Sequence, residues 1–337
     1  MVAITVRLLL GTLGGMAACG LLVLQDPAMK SIDWRWCYSA CSPVALVMGA
    51  AAGALLPESP VFLASVGEHR LAREGFESMA RLNSVDVGGE LLAQVPEKEP
   101  RRHGLPLLAQ LRVILGPGVW RYTAAATAAC FAYNLLIYGH GYAEPQVLVA
   151  HADSRTFAPA WQLFLESCWY MPGALLMVPL DRFAGSRKLG AASCYAGCGV
   201  CLALFAAFVN APVRWRNEAI FQGSACGIRI MLKVATCFSQ QISAEMYPPL
   251  LAATGSAFCV GSARAAAILA PLLFEAIRGA TVSGLVFYDI LAAFSIFTAC
   301  ALAVLLPTRL EEVRDAAERA CAELKPLQIV AKDSRLV

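Results

Sequence analysis

Apolar residues run in blocks of about twenty along almost the whole chain, and they alternate with short polar stretches. At roughly 1.5 Å rise per residue, an α-helix of that length matches a hydrocarbon core of about 30 Å. The pattern predicts eight spans, over residues 4–24, 36–56, 118–138, 159–180, 189–210, 217–242, 251–278 and 283–306. The predicted class is therefore an all-α membrane protein. The block at 4–24 also has the charged start of a signal peptide in Arg7, but its apolar run is too long for one and reads as a span.

Residues 57–117 form the one long polar stretch and carry Arg70, Arg73, Arg81, Lys98, Arg101, Arg102 and Arg112. Cytoplasmic loops concentrate such residues, so this loop is expected inside, with both termini, the turn Asp181–Lys188 and the tail after Pro307 on the same side. Arg214 and Arg216 fall on the opposite side against the trend. The predicted organisation is two spans over 1–56, a cytoplasmic loop over 57–117, a six-helix bundle over 118–306 and a tail over 307–337. Within the loop, Glu68 to Asn83 reads as a surface helix with Ala72, Phe76, Met79 and Ala80 on one stripe. Arg73, Glu77 and Arg81 are helical neighbours there. Thr308 and Glu311 have capping-box spacing ahead of a stripe of Leu310, Val313, Ala317, Cys321 and Leu324.

Composition agrees with lipid as solvent: 58% of residues are hydrophobic and 15% charged. A net charge of +3 gives no case for nucleic acid. The thirteen cysteines lack disulfide-framework spacing, and Cys194, Cys198 and Cys201 sit in the middle of a span, away from any cofactor loop. No metal-ligand spacing, phosphate loop or nucleophile elbow occurs, so no cofactor is implied and an enzyme has no motif behind it. Gly11/Gly15 and Gly223/Gly227 have the spacing of close helix contacts.

Charge at membrane depth needs a partner or a water-filled cavity. Glu166, Arg229, Lys233, Arg264, Glu275 and Asp289 are the candidates. Arg264 is the clearest: it either lines a solute pathway or forms a buried pair with Asp289 or Glu166. Tyr133, Asn134 and Tyr138, together with Trp169, Tyr170, Gln222, Gln240 and Gln241, supply hydrogen-bonding groups suited to a polar, aromatic-lined cavity. Singly, each reads as an interfacial belt residue or a helix–helix hydrogen bond.

Several short motifs appear in a fixed order. Pro57-Glu58-Ser59-Pro60-Val61-Phe62-Leu63 follows the second span, and Trp34-Arg35-Trp36 precedes it. Tyr138-Gly139 ends the third span with Pro145 beyond, Asp181-Arg182-Phe183-Ala184-Gly185-Ser186-Arg187-Lys188 forms a turn, and Glu245-Met246-Tyr247-Pro248 follows the sixth span. Arg264 stands seven residues before Pro271, and Leu306-Pro307 leads to Leu310-Glu311-Glu312. Over residues 1–312 this order resembles the major facilitator superfamily, in the branch of sugar porters, organic cation and anion transporters and synaptic-vesicle-type transporters.

The resemblance implies two six-helix halves that rock around a central cavity. It aligns the eight spans with the last eight of twelve, which leaves a complete C-terminal half and two helices of the N-terminal half. It implies a secondary transporter of small organic solutes, with a proton or sodium ion as possible coupling partner, in the plasma membrane or an intracellular vesicle membrane. Solute-binding roles are implied for Tyr133, Asn134, Tyr138, Glu166, Arg229, Arg264 and Asp289, and gating roles for Glu58, Asp181, Arg182, Arg187 and Glu245, with Glu245 the expected partner of the turn's basic residues. Organic-cation relatives carry Asp at the Arg264 position, so the arginine implies organic anions, with sugars and cations as the other solutes open to the class. Val61, Ala252 and the extra Ala184 depart from the motifs, which leaves open a transport-inactive chain acting as partner or regulator.

Overall fold

The computed structural model describes residues 2–55, 58, 60, 63–64, 68–82, 106–150, 158–183, 186–210, 218–280 and 285–321. Of the residues named above, Pro57, Ser59, Val61, Phe62, Asn83, Lys98, Arg101, Arg102, Ala184, Gly185, Arg214, Arg216 and Leu324 lie outside that set. All the described regular structure is helical: α1 Val2–Gln25, α2 Trp34–Leu55, α3 His69–Leu82, α4 Leu107–Ile114, α5 Trp120–Ala150, α6 Pro159–Cys168, α7 Tyr170–Phe183, α8 Arg187–Asn210, α9 Glu218–Glu245, α10 Pro249–Ala280 and α11 Val286–Leu305. A last helix, α12, covers 311–321.

The chain divides into two compact units, one of Met1–Cys37 with Leu111–Val337 and the other of Tyr38–Gln110. The stretches Trp34–Ala54, Arg187–Val209, Leu251–Gly279 and Val286–Leu305 are long and apolar enough to cross a membrane, and Leu9–Gln25 is a shorter apolar helix. Two expected spans differ from what is found. The third does not stop at residue 138; α5 runs on through His140 and Glu144 to Ala150, with Pro145 inside it. The fourth is two helices, because the chain turns at Trp169 before α7 begins. Pro172 then falls in the first turn of α7, where its missing N–H leaves no hydrogen bond unmade.

In the larger unit α5 packs against α9, α10 and α11, α8 packs against α9 and α11, and α7 lies on α9. α1 packs on α6 and α7. Fully buried Tyr195 of α8 pins three helices: its hydroxyl donates to the Ala129 carbonyl of α5 (2.7 Å) and pairs with Ser239 of α9 (2.8 Å). Ser295 of α11 donates to the Tyr195 carbonyl at 2.7 Å. Such bonds matter where no water competes for the polar groups.

Close helix contact rests on one of the expected glycines, Gly227, and on others that the motif spacing does not mark. Gly11, Gly15 and Gly223 have open space where a side chain would go, and only Gly227 of the two motifs faces a neighbour, Cys201. The tight approach is at Gly173 on α7, where a Cβ would meet the Ile230 carbonyl oxygen of α9 at 2.9 Å. Cys194, Cys198 and Cys201 are free thiols on α8.

The α1–α2 connection is a capped turn. The Asp26 carboxylate accepts the backbone N–H groups of Ala28 (2.9 Å), Lys30 (2.6 Å) and Ser31 (2.7 Å) around Met29, whose φ is +56°. These hydrogen bonds, that from Ser31 foremost, hold the Asp26 carboxyl below its ordinary pKa. Asp33 then caps α2, accepting from Arg35 (3.0 Å) and Trp36 (3.3 Å).

In the smaller unit α3 carries the i,i+4 pairs Arg70–Glu74 (3.2 Å) and Arg73–Glu77 (3.4 Å), and Ala72 is buried against the unit while Phe76 and Met79 are exposed. At the other end, α12 begins after Leu310 rather than at the capping box of Thr308, and buries Val313, Ala317 and Cys321.

Candidate functional site

The deepest charge in the larger unit is a four-helix cluster. α9 carries Arg229 as its axis passes α7 at the Gly173 approach, so the guanidinium comes to the base of α7, where it lies 5.2 Å from the centre of the Tyr170 ring. Arg229 donates to the Tyr170 hydroxyl at 3.3 Å, to Glu166 of α6 at 3.1 Å and to Glu144 of α5. All three charged side chains are sealed from solvent, at 8%, 1% and 0% relative exposure for Arg229, Glu166 and Glu144. Gln162, one turn before Glu166 on α6, donates to Glu166 at 2.5 Å and exchanges hydrogen bonds with Gln222 of α9 at 2.9 and 3.1 Å. Bidentate-capable arginine is the residue suited to hold two carboxylates at once.

His140 lies one turn before Glu144 on the same face of α5 and completes the cluster. Its Nε2 is 3.4 Å from a Glu144 oxygen, and its ring meets Tyr288 and Phe205 edge-on at 5.8 and 5.9 Å. Neither ring nitrogen of His140 has a hydrogen-bond partner, nor does Oε1 of Glu144. Ligand atoms of His140, Glu144 and Glu166 all fall within 4.8 Å of one another, a grouping able to hold a metal ion that the sequence spacing does not announce. The donor set fits a cation poorly, however, since the Arg229 guanidinium already touches both carboxylates and would face any ion they bound.

The second polar group lies on the exposed face shared by α5 and α10. Arg264 is exposed and donates to the Tyr138 hydroxyl at 3.5 Å. Further along, Tyr142 donates to Glu275 at 2.9 Å and Arg278 to Gln146. The two alternatives for a buried Arg264 pair are thus corrected: Glu166 is taken by Arg229, and Asp289 stands exposed in the first turn of α11, where a carboxylate meets the helix dipole favourably. Arg229 does not add a free positive field, because Glu144 and Glu166 neutralise it. Tyr133 is buried, and Asn134 turns its amide back to the Cys130 carbonyl at 3.1 Å.

Among the residues expected to gate, Arg187 at the start of α8 forms an ion pair with Glu245 at the end of α9. Beside it, Lys188 donates to the Leu306 carbonyl at 2.6 Å and Ser186 to that of Thr308 at 3.5 Å, fastening the end of α11. The side chains of Asp181 and Arg182 lie outside the described residues, and Glu58 is exposed.

Glu144, His140 and Gln162 are the members of the cluster that the sequence reading omits. The signal was present: His140 and Glu144 are i,i+4 on a helix whose apolar run continues to Ala150, but a span cut at Tyr138-Gly139 places both outside the membrane.

Comparison with known proteins bears on this architecture. Residues 2–316 match the family model "Sugar (and other) transporter". A beta-alanine transporter of Drosophila melanogaster is 28% identical over 193 residues, which make up 55% of this chain and 30% of the relative. The match thus covers under a third of that relative's length. Helical architecture, apolar spans and a family match over nearly the whole chain lead to one assignment: this multi-pass membrane protein belongs to the sugar (and other) transporter family of the major facilitator superfamily.

Proposed function

We propose that the chain serves secondary transport of small organic anions by alternating access, with Arg264 and Tyr138 engaging the anionic group. The observation that carries this reading is the contrast between the two intramembrane arginines. Arg229 is spent on two carboxylates, whereas Arg264 is exposed and has no carboxylate within ion-pair distance among the described residues. A guanidinium favours carboxylates, sulfonates or phosphates in bidentate geometry and repels cations. The Tyr138 hydroxyl beside it offers a second donor or acceptor. A relative is named a beta-alanine transporter, and the carboxylate of that zwitterion is the group an arginine at the solute site would engage.

The Arg187–Glu245 pair then serves as a clasp between α8 and α9 on the cytoplasmic side, opened in one access state and closed in the other. The placement of that side follows the basic bias of residues 57–117. The membrane is the plasma membrane or that of an intracellular vesicle.

The test is uptake into proteoliposomes of a monocarboxylate, beta-alanine, a quaternary amine and a hexose, before and after Arg264→Ala. Selective loss of carboxylate uptake is expected. Uptake of the amine that ignores the substitution refutes the assignment.

A further inference from the structure

We propose that α3 is an interfacial helix whose apolar half inserts among the phospholipid headgroups and upper acyl chains of the leaflet in which α2 ends. The inference does not rest on the solute assignment at Arg264.

At about 3.6 residues per turn, Leu71, Ala72, Phe76, Met79, Ala80 and Leu82 of α3 share one half of the helix circumference. Arg70, Arg73, Glu74, Glu77 and Arg81 fall on the other half with Ser78, and His69 opens the helix near the seam. The polar half is satisfied within itself: Arg70 pairs with Glu74 at 3.2 Å, Arg73 with Glu77 at 3.4 Å, and Arg81 donates to the Glu77 carbonyl at 3.4 Å. The apolar half is not covered. Of its members only Ala72 is buried, whereas Leu71, Phe76, Met79 and Leu82 are 44%, 40%, 42% and 84% exposed. Large apolar side chains gathered on one open face mark a surface built for an apolar neighbour.

Two observations say which neighbour. The first is continuity with the membrane-crossing segment. The stretch Trp34–Ala54 is long and apolar enough to cross a bilayer, and α2 ends at Leu55. Pro60 follows within at most about 18 Å of chain. It packs on the middle of α3, where a Cβ at Gly75 would meet its ring at 2.9 Å. α3 is thereby held beside the point at which α2 leaves the hydrocarbon, in the layer where amphipathic helices lie in the plane of a membrane.

The second observation is the contrast with α12. That helix also has an apolar stripe, and its Val313, Ala317 and Cys321 are buried against protein. Where this chain docks such a helix on protein, the stripe is of small and medium side chains and is covered; on α3 it carries Leu, Phe and Met and is open.

The attraction is apolar rather than electrostatic. With Arg70 and Arg73 spent on glutamates, α3 presents no row of free cations to anionic lipid, so zwitterionic phosphatidylcholine suffices. The polar half then faces water, and the segment after α2 becomes part of the membrane surface.

The experiment uses the full chain in phosphatidylcholine vesicles, with exposed Cys41 and Cys300 replaced by serine and a nitroxide label at Phe76→Cys, Met79→Cys or Ser78→Cys. Power-saturation electron paramagnetic resonance compares access of oxygen, which concentrates in lipid, with access of a water-soluble nickel chelate. The ratio of oxygen to nickel access is expected to be several-fold higher at positions 76 and 79 than at position 78. Leu82→Cys, at the most exposed of the four large side chains, gives the same readout and leaves the packing of Ala72 and Pro60 alone. Nickel access at 76, 79 and 82 equal to that at 78 puts the face in water and overturns the proposal. Loss of both oxygen and nickel access also overturns it, since a protein surface, of the larger unit or of a second copy, then covers the face. Insertion that appears only after phosphatidylserine is added does so too, because the anionic headgroup would then be the partner.

Discussion

Replacing Arg229 with methionine removes the one positive group that holds Glu144 and Glu166 together. Methionine keeps most of the length and apolar stem, so packing changes little and the electrostatic loss dominates. Ligand atoms of the two carboxylates lie within 4.8 Å of one another. At an effective dielectric of about 20, two negative charges at that spacing repel by about 3 kcal/mol, and breaking a buried pair costs about 3–5 kcal/mol in general. The expected loss is therefore about 3 kcal/mol, read in mildly alkaline detergent by steric trapping or reversible denaturation. Neutralising the acids as well, in Glu144→Gln/Glu166→Gln/Arg229→Met, should restore most of it, because the penalty lies in the stranded charges. A single substitution that costs under about 1 kcal/mol, or a triple variant no better than the single one, would refute the charge argument.

Four other outcomes follow from the same structure. Gly173→Ala forces a Cβ to 2.9 Å from the Ile230 carbonyl and should cost about 1–3 kcal/mol, seen as a lower Tm, while Gly223→Ala, with open space beside it, should not. Asp26→Ala removes the acceptor for three backbone N–H groups, so amide exchange at Ala28, Lys30 and Ser31 should accelerate; because the folded carboxyl titrates below its ordinary value, the wild-type protection is present above about pH 4 and lost as the pH falls through the folded pKa. A double-mutant cycle on Arg187 and Glu245 should give under about 1 kcal/mol, since both are a third or more exposed, yet either single substitution should shift inside/outside accessibility in a transport assay. Cysteines placed at Ser78 and Asp315, with exposed Cys41 and Cys300 removed, should label only from the cytoplasmic side of intact cells.

The membrane class was legible because apolar length is a property of single segments, and four of the expected spans coincide with stretches long and apolar enough to cross a membrane. So was the surface helix α3, whose i,i+4 ion pairs the spacing of Arg73 and Glu77 states directly. What the sequence could not carry was pairing between distant segments. Glu166 and Arg229 are 63 residues apart, and nothing local says that Arg229 rather than Arg264 takes the carboxylate. Glycine spacing misled for a related reason: Gly11 and Gly15 have the motif but no neighbour, while Gly173 has a neighbour and no motif, because close approach depends on which helices are brought together.

The error at the end of α5 has a wider consequence for reading such chains. A polar residue past an apolar block is naturally taken as the exit from the membrane, and a span ended at residue 138 leaves His140 and Glu144 beyond it. In the structure α5 continues for more than a turn beyond Glu144, and both side chains are buried against α6, α9 and α11. Helix continuation, not hydropathy, decides where such residues lie, since nothing between Gly139 and Ala150 breaks the helix except Pro145, which it tolerates. The cost of burying Glu144 there is offset through Arg229, which reaches it from α9 and also holds Glu166 of α6. A buried polar network of this kind therefore constrains α5, α6 and α9 to move together, and any access change in the bundle must either carry the cluster as a unit or break its ion pairs.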